Sequence, residues 1–349
     1  MTTRPPPSIH ARSQEVATSG AAASTYSLLA SILSNPVAPE DVRAAATNAL
    51  RVSECPEGYP AAPGQSALEA YRVDMALVNV GALLAERVTG RISTEVDPAL
   101  DSDPAALVAR GKALVALYKR SGVAADRLLV RLPATWAGCQ AMRELEREGI
   151  ATHALFVYSF AQAAAAAQAG ASAVQVSLGR VRSWYNLRPN VIRDPHGPRE
   201  DSGYKSPTDP GLALVKEVFY FLKRYHPKTK LIVSGIASRA DALAVAGADY
   251  VLLPAAVRQE LASTPTLSGY NDGLHEADGA ASAALDAAAA RGVDFREEQL
   301  AELDEATFND LLARGVCGKE LLAEGLGRHE QFAAQLSPLI AEMVINRHG

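Results

Sequence analysis

Lysine is scarce in this chain. Of its 34 basic residues, 26 are arginine and 8 are lysine, and none of the lysines precedes Lys112. No side-chain amine is therefore on offer before position 112. Cysteine is scarcer still. Cys55, Cys139 and Cys317 are widely spaced and odd in number, which excludes a disulfide framework and a metal-binding pattern and points to a reducing, cytoplasmic setting. No apolar run reaches the roughly 18 residues of a membrane span. The opening MTTRPPPSIHARS has no apolar core, so residues 1–13 read as a disordered leader and not as a secretory signal. A basic excess is also missing: 34 basic against 39 acidic residues give a net charge of −5, which argues against nucleic acid and anionic membrane as partners. There is no Gly-rich phosphate fingerprint to favour a doubly wound sheet, and neither a metal nor a cofactor is expected.

What is there is a long alternation of strands and helices. With 349 residues, 48% hydrophobic and 21% charged, the chain can bury a large core. From about residue 88, continuous apolar runs recur at Arg91–Val96, Leu128–Leu132, Ala154–Tyr158, Ala173–Ser177, Leu231–Ser234 and Tyr250–Leu253. Continuous rather than alternating runs suit parallel strands covered on both faces. Between them lie amphipathic stretches. In Asp103–Gly122, residues Leu107, Leu114, Val115 and Tyr118 share a face, Asp103 can cap and Pro104 suits the first turn. Ala137–Glu148 and Pro210–His226 read the same way. Two further strands, sought at Glu15–Thr18 and Ser27–Leu33, would close a (β/α)8 TIM barrel formed by residues 14–349 as a single domain. The acidic stretch Asp294–Asn346 reads as helical, Ala280–Ala290 as a helix and Leu267–Gly279 as a mobile loop.

Several motifs, taken together and in order, resemble the transaldolase family. GRISTEVD (Gly90–Asp97) is similar to that family's third barrel strand, and RLLVRLPATWAG (Arg127–Gly138) to its active-site strand and following helix. GIATHALFVYSFAQA (Gly149–Ala163), LGRVRSWY (Leu178–Tyr185) and TDPG (Thr208–Gly211) follow at matching spacing. LLAEGLGRHEQF (Leu321–Phe332) is similar to the C-terminal helix that packs over the barrel. The resemblance covers about residues 85–345 and implies the barrel fold and a class I aldolase mechanism. In that mechanism a strand-four lysine attacks a ketose phosphate, a carboxylate and a water move protons, and two arginines hold the phosphate. By position, Glu95 matches the strand-three glutamate, and Arg180 and Arg239 match the phosphate arginines. The lysine position, however, is Arg131. The threonine on strand five is Leu155 and its neighbouring asparagine His153. Gln175 and Ala237 stand where the family has serines. Near the N-terminus, Thr18 and Leu28 stand where the family has its catalytic aspartate and an asparagine.

These departures change the chemistry the resemblance implies. Schiff-base formation needs a neutral amine, and arginine keeps its proton, with a pKa above roughly 12. Lys205, in the loop Asn186–Thr208, is the one lysine placed to reach a barrel mouth. That loop, with Arg188, Arg193 and Arg199, is a lid candidate beside its plain reading as a surface insertion. Arg131 reads either as half of a structural ion pair with Glu95, within hydrogen-bonding distance of it, or as a fork for a substrate carboxylate or enolate oxygen. His153, the one histidine on an expected strand, reads either as core or as a proton carrier near neutral pH. Arg180 and Arg239 read as an anion patch at the C-terminal face, and Gln175 and Tyr158 as substrate contacts or packing.

The expectation is a transaldolase-like enzyme remodelled for Schiff-base-independent lyase, isomerase or condensation chemistry on a small oxygenated anion, in a specialised pathway. Glu95, His153 and Arg131 would be catalytic. The rival readings are a non-catalytic sugar-phosphate binder and a true transaldolase using another lysine. A homodimer is compatible with each.

Overall fold

The computed structural model describes residues 22–34, 38–188, 209–263, 273–274, 295 and 297–345. It divides into two units: Ser19–Ala154 joined by Ala323–Gly349, and a second formed mainly by Leu155–Leu322.

In the first unit, β1 (Ala22–Ser24) pairs in parallel with β2 (Ile92–Glu95), and β2 with β3 (Leu128–Pro133). The Val130 N–H donates to the Ala151 carbonyl at the start of β4 (Thr152–Val157). The helices are α1 (Tyr26–Ser34), α2 (Glu40–Asn48), α3 (Ala67–Arg87), α4 (Pro104–Arg120) and α5 (Trp136–Arg147). The α4 boundaries follow from its capping. Asp103 accepts the Ala106 N–H at 3.0 Å, and Pro104 fills the first turn, where its missing N–H costs nothing.

In the second unit, β5 (Ala173–Ser177) pairs in parallel with β6 (Lys230–Ser234), and β6 with β7 (Tyr250–Val251). Around them lie α6 (Phe160–Gln168), α7 (Leu178–Asn186), α8 (Pro210–Tyr225), α9 (Arg239–Ala244), α10 (Ala255–Ser263), α11 (Glu297–Leu300), α12 (Glu305–Arg314) and the start of α13 (Val316–Ile345). Within the acidic C-terminal stretch, Glu297–Leu300, Glu305–Arg314 and Val316–Ile345 are helical, as its composition suggested.

Strand order follows the chain from β1 to β7. Parallel strands taken in sequence with intervening helices are the topology of a TIM-type α/β barrel, the expected class. The six strands expected after residue 88 are all present, with ends shifted by up to two residues.

One expected strand is a helix. Ser27–Leu33 lies within α1, where Tyr26, Leu29, Ala30, Ile32 and Leu33 are buried at helical spacing. A short apolar run reads as either element, and here the i, i+3, i+4 spacing decided. The strand of that region is β1, just upstream. The Glu15–Thr18 strand, the 1–13 leader, Lys205, the stretch Ala280–Ala290, nearly all of the Leu267–Gly279 loop and the lid candidate beyond Arg188 lie outside the described residues. Among the described residues no helix is long and apolar enough to cross a membrane.

Candidate active site

Glu95 and Arg131 are register partners on β2 and β3. Val130, between Leu129 and Arg131, lies against α4: a methyl built on Gly111 would sit 3.2 Å from it. Period-two alternation therefore turns Leu129 and Arg131, with their partners Ser93 and Glu95, to the opposite, interior face. His153 joins that face through a 2.8 Å hydrogen bond between Ser93 Oγ and His153 Nδ1. Two layers result. Ser93 and His153 form the deeper one, and Glu95 and Arg131 lie about 7 Å further along the strands, the length of two residues.

Glu95 is 3% exposed. One of its oxygens, Oε2, accepts the Tyr26 N–H at 3.0 Å. The other, Oε1, lies 2.9 Å from His329 Nδ1 on α13. Burial alone would raise the Glu95 pKa. The His329 contact, the Arg131 charge and the Tyr26 amide outweigh it and hold the carboxyl below its ordinary value. The expected direct Arg131–Glu95 pair is not formed: among the described residues neither a hydrogen bond nor an ion pair joins them, because the carboxylate is engaged by α1 and α13. Arg131 acts on Glu95 through its field alone. Arg131 is 9% exposed, and its Nε has no hydrogen-bond partner among the described residues. Burial pulls its pKa down from the ordinary arginine value, opposed by the Glu95 charge.

The other group of expected residues lies in the second unit. Arg180 is the third residue of α7, after β5, and Arg239 is the first of α9, after β6. Because β5 and β6 are parallel neighbours, both arginines leave the same end of the sheet. The loops that carry them touch: a methyl on Gly179 would lie 2.4 Å from the Gly235 carbonyl oxygen, so this approach requires glycine. The Arg180 guanidinium lies 6.0 Å from the Tyr158 ring centroid. Gln175 Nε2 donates to Ser234 Oγ at 3.1 Å.

Tyr158 follows Phe156, the sole described non-glycine residue with positive φ, at 60°. The buried Gln162 amide holds this turn, donating to the Phe156 carbonyl and accepting the Tyr158 N–H.

Sequence reasoning missed His329, Gln162 and Arg182. The signal for His329 was its place on the apolar stripe of α13, three residues before Phe332 and seven before Leu336. Arg182 stood two residues from Arg180 in the motif already singled out. It grips Asp209 and, with both terminal nitrogens, Asp241. Among the described residues there is no cluster of metal-ligating side chains.

Parallel strands taken in chain order with helices between them define a protein of the TIM-type α/β barrel class. The transaldolase/fructose-6-phosphate aldolase family model matches residues 46–340, and the chain belongs to that family. It is similar to the transaldolase of Sodalis glossinidius, with 34% identity over 208 residues, 58% of this chain and 63% of that one. It is also similar to the human transaldolase, with 30% identity over 275 residues, 78% of this chain and 74% of that one. With the transaldolase of Protochlamydia amoebophila it shares 28% identity over 268 residues, 77% of this chain and 75% of that one.

Proposed function

We propose that this chain is a single-domain, cytoplasmic enzyme of the transaldolase family whose reaction does not pass through a Schiff base on the barrel strand that carries Arg131. The reaction is a lyase, isomerase or condensation step on a small oxygenated anion, in a specialised pathway, with neither nucleic acid nor membrane as partner. Glu95 moves the proton, with His153 in the layer below as a second carrier. Arg131, Arg180 and Arg239 meet negative charge on the substrate, and Tyr158 and Gln175 line its path.

The observation that carries this reading is the state of Arg131. A guanidinium buried to this degree with no carboxylate in contact is a costly arrangement. A substrate anion in contact with it would offset that cost. A structural ion pair would have used Glu95, and Glu95 is turned to His329 and Tyr26.

A second reading, a true transaldolase, draws on the similarity to transaldolases and would need Lys205 as nucleophile. Borohydride trapping in the presence of fructose 6-phosphate separates the two: no covalent adduct is expected. In parallel, inorganic phosphate should raise the melting temperature, since an anion that binds only the folded state stabilises it by mass action. Arg131→Gln, or Arg180→Ala with Arg239→Ala, should reduce that shift. A trapped adduct, or a phosphate shift indifferent to all three arginines, defeats the proposal.

A further inference from the structure

α13 presents one apolar stripe. Leu336 is fully buried in a cluster with Tyr26, Leu29, Val73 and Leu77, and Phe332, Ala333 and Leu339 pack against the same cluster. Residues at i, i+3, i+7 and i+10 share a helix face, so this packing fixes the rotation of the helix about its axis. His329 lies on that face, one turn before Phe332, whose ring it meets edge to face at 6.3 Å. Its direction is therefore set by the core beneath it, and it points at Glu95.

We propose that His329 is a positioning residue of the candidate active site: carried on α13, it fixes one carboxylate oxygen of Glu95 and keeps that side chain in the form that accepts a proton. The inference rests on reading Glu95 as the proton carrier. Three elements clamp this carboxyl: β2 carries it, α1 donates the Tyr26 amide to Oε2, and α13 brings the His329 imidazole to Oε1. The charged and titratable groups that act on it are His329 from α13 and Arg131 from β3. The Tyr26 phenol on α1 feels the Glu95 charge in turn and is itself pushed up, chiefly by burial.

Arg131 cannot supply the same restraint, because it makes no contact with the carboxylate. Without the imidazole, the preference of a buried site for the neutral acid would be opposed only by one amide and a charge at longer range. A neutral Glu95 could not take a proton from a ligand hydroxyl or carbon. α13 is thus part of the site, and its placement determines whether Glu95 is competent.

The test needs no substrate. The Glu95 side-chain carboxyl is followed by 13C NMR during an acid titration of the full-length protein. His329→Leu should move its midpoint up by at least about one pH unit, a tenfold change in the protonation equilibrium. His329→Gln, which keeps an N–H donor but not the imidazole, should move it up by less. A folded His329→Leu protein with an unmoved midpoint overturns the proposal. If His329→Leu does not fold, an unmoved midpoint in His329→Gln does the same. Failure of the wider functional reading would show elsewhere, in borohydride trapping or phosphate stabilisation, while this titration still gave the expected shift.

Discussion

Arg110 and Arg131 are both buried in the unit built from Ser19–Ala154 and Ala323–Gly349, yet their surroundings have little in common. Arg110, on α4, is 0% exposed. Its Nε donates to Asp74 Oδ2 at 2.5 Å, Nη1 to the Pro60 carbonyl at 2.5 Å, and Nη2 to the Ala70 carbonyl at 3.1 Å and Asp74 Oδ1 at 3.0 Å. The Tyr59 hydroxyl completes the shell of Asp74 at 2.6 Å. Burial works against this guanidinium, but Asp74 more than offsets it and holds its pKa above the ordinary arginine value. Arg131 is displaced the other way, because its one nearby anion is committed elsewhere. Arg110 shows how this protein treats an arginine whose role is structural: every direction of the fork meets an acceptor. Arg131 is buried without those acceptors, and its proposed role in meeting a substrate anion is argued from that difference.

The largest test of that contrast is stability. Arg110→Met should cost about 3–5 kcal/mol, because it strands Asp74 as a buried, unpaired charge. Arg131→Met should be near neutral or stabilising, because it removes a buried charge that has no direct partner. Chemical denaturation of both variants measures the difference. Equal costs would mean that Arg131 is a structural residue after all.

A smaller effect should appear on the acid side. Glu95 is held below its ordinary pKa in the folded protein, so its contribution is complete above the unfolded-state value of about 4.3. It is lost as pH falls through the folded-state value. Between pH 5 and pH 3 the wild-type urea midpoint should therefore fall more steeply than that of Glu95→Gln, which has no carboxyl to protonate there. Parallel curves would place Glu95 outside the restraint described for it.

Much of this was legible in the sequence, for reasons that residues make plain. β3 was readable because Leu128–Leu132 is one apolar run between turn signals, and Arg131 stood out as a cation inside it. α1 was misread because SLLASIL fits either period until its neighbours are known. The direct Arg131–Glu95 pair was inferred from strand adjacency, and adjacency fixed the register correctly. It could not disclose that an imidazole far along the chain, at position 329, had reached the carboxylate first. His153 attracted attention as the histidine on an expected strand, but its bond to Ser93 puts it one layer deeper than Glu95. Sequence reasoning located the strands and the charges they carry. It could not assign partners across long separations, because those depend on how α13 packs.

The smallest effect concerns a third arginine, intermediate between the other two. The Arg182 side chain is 26% exposed, paired with Asp209 and, in a fork, with Asp241. Both aspartates are already employed. Asp209 accepts the Gly211 and Leu212 N–H groups that begin α8, and Asp241 closes a capping box with Ser238 at the start of α9. Arg182 thus joins the first turns of two helices, one of which begins with Arg239, and lies two residues beyond Arg180 on α7. Its partial exposure means that solvent screens the pair, so Arg182→Gln should lower stability by only about 1 kcal/mol or less. The effect on function should be larger than that number suggests. Without the fork, α9 is free to shift against α7, and an anion that needs Arg180 and Arg239 together loses their fixed spacing. Phosphate stabilisation of Arg182→Gln should therefore fall well below wild type, while Arg182→Lys, which keeps the charge but not the two-pronged geometry, should recover stability more than anion binding. If Arg182→Gln keeps the full phosphate shift, Arg182 braces the helices without setting the geometry of the arginine pair.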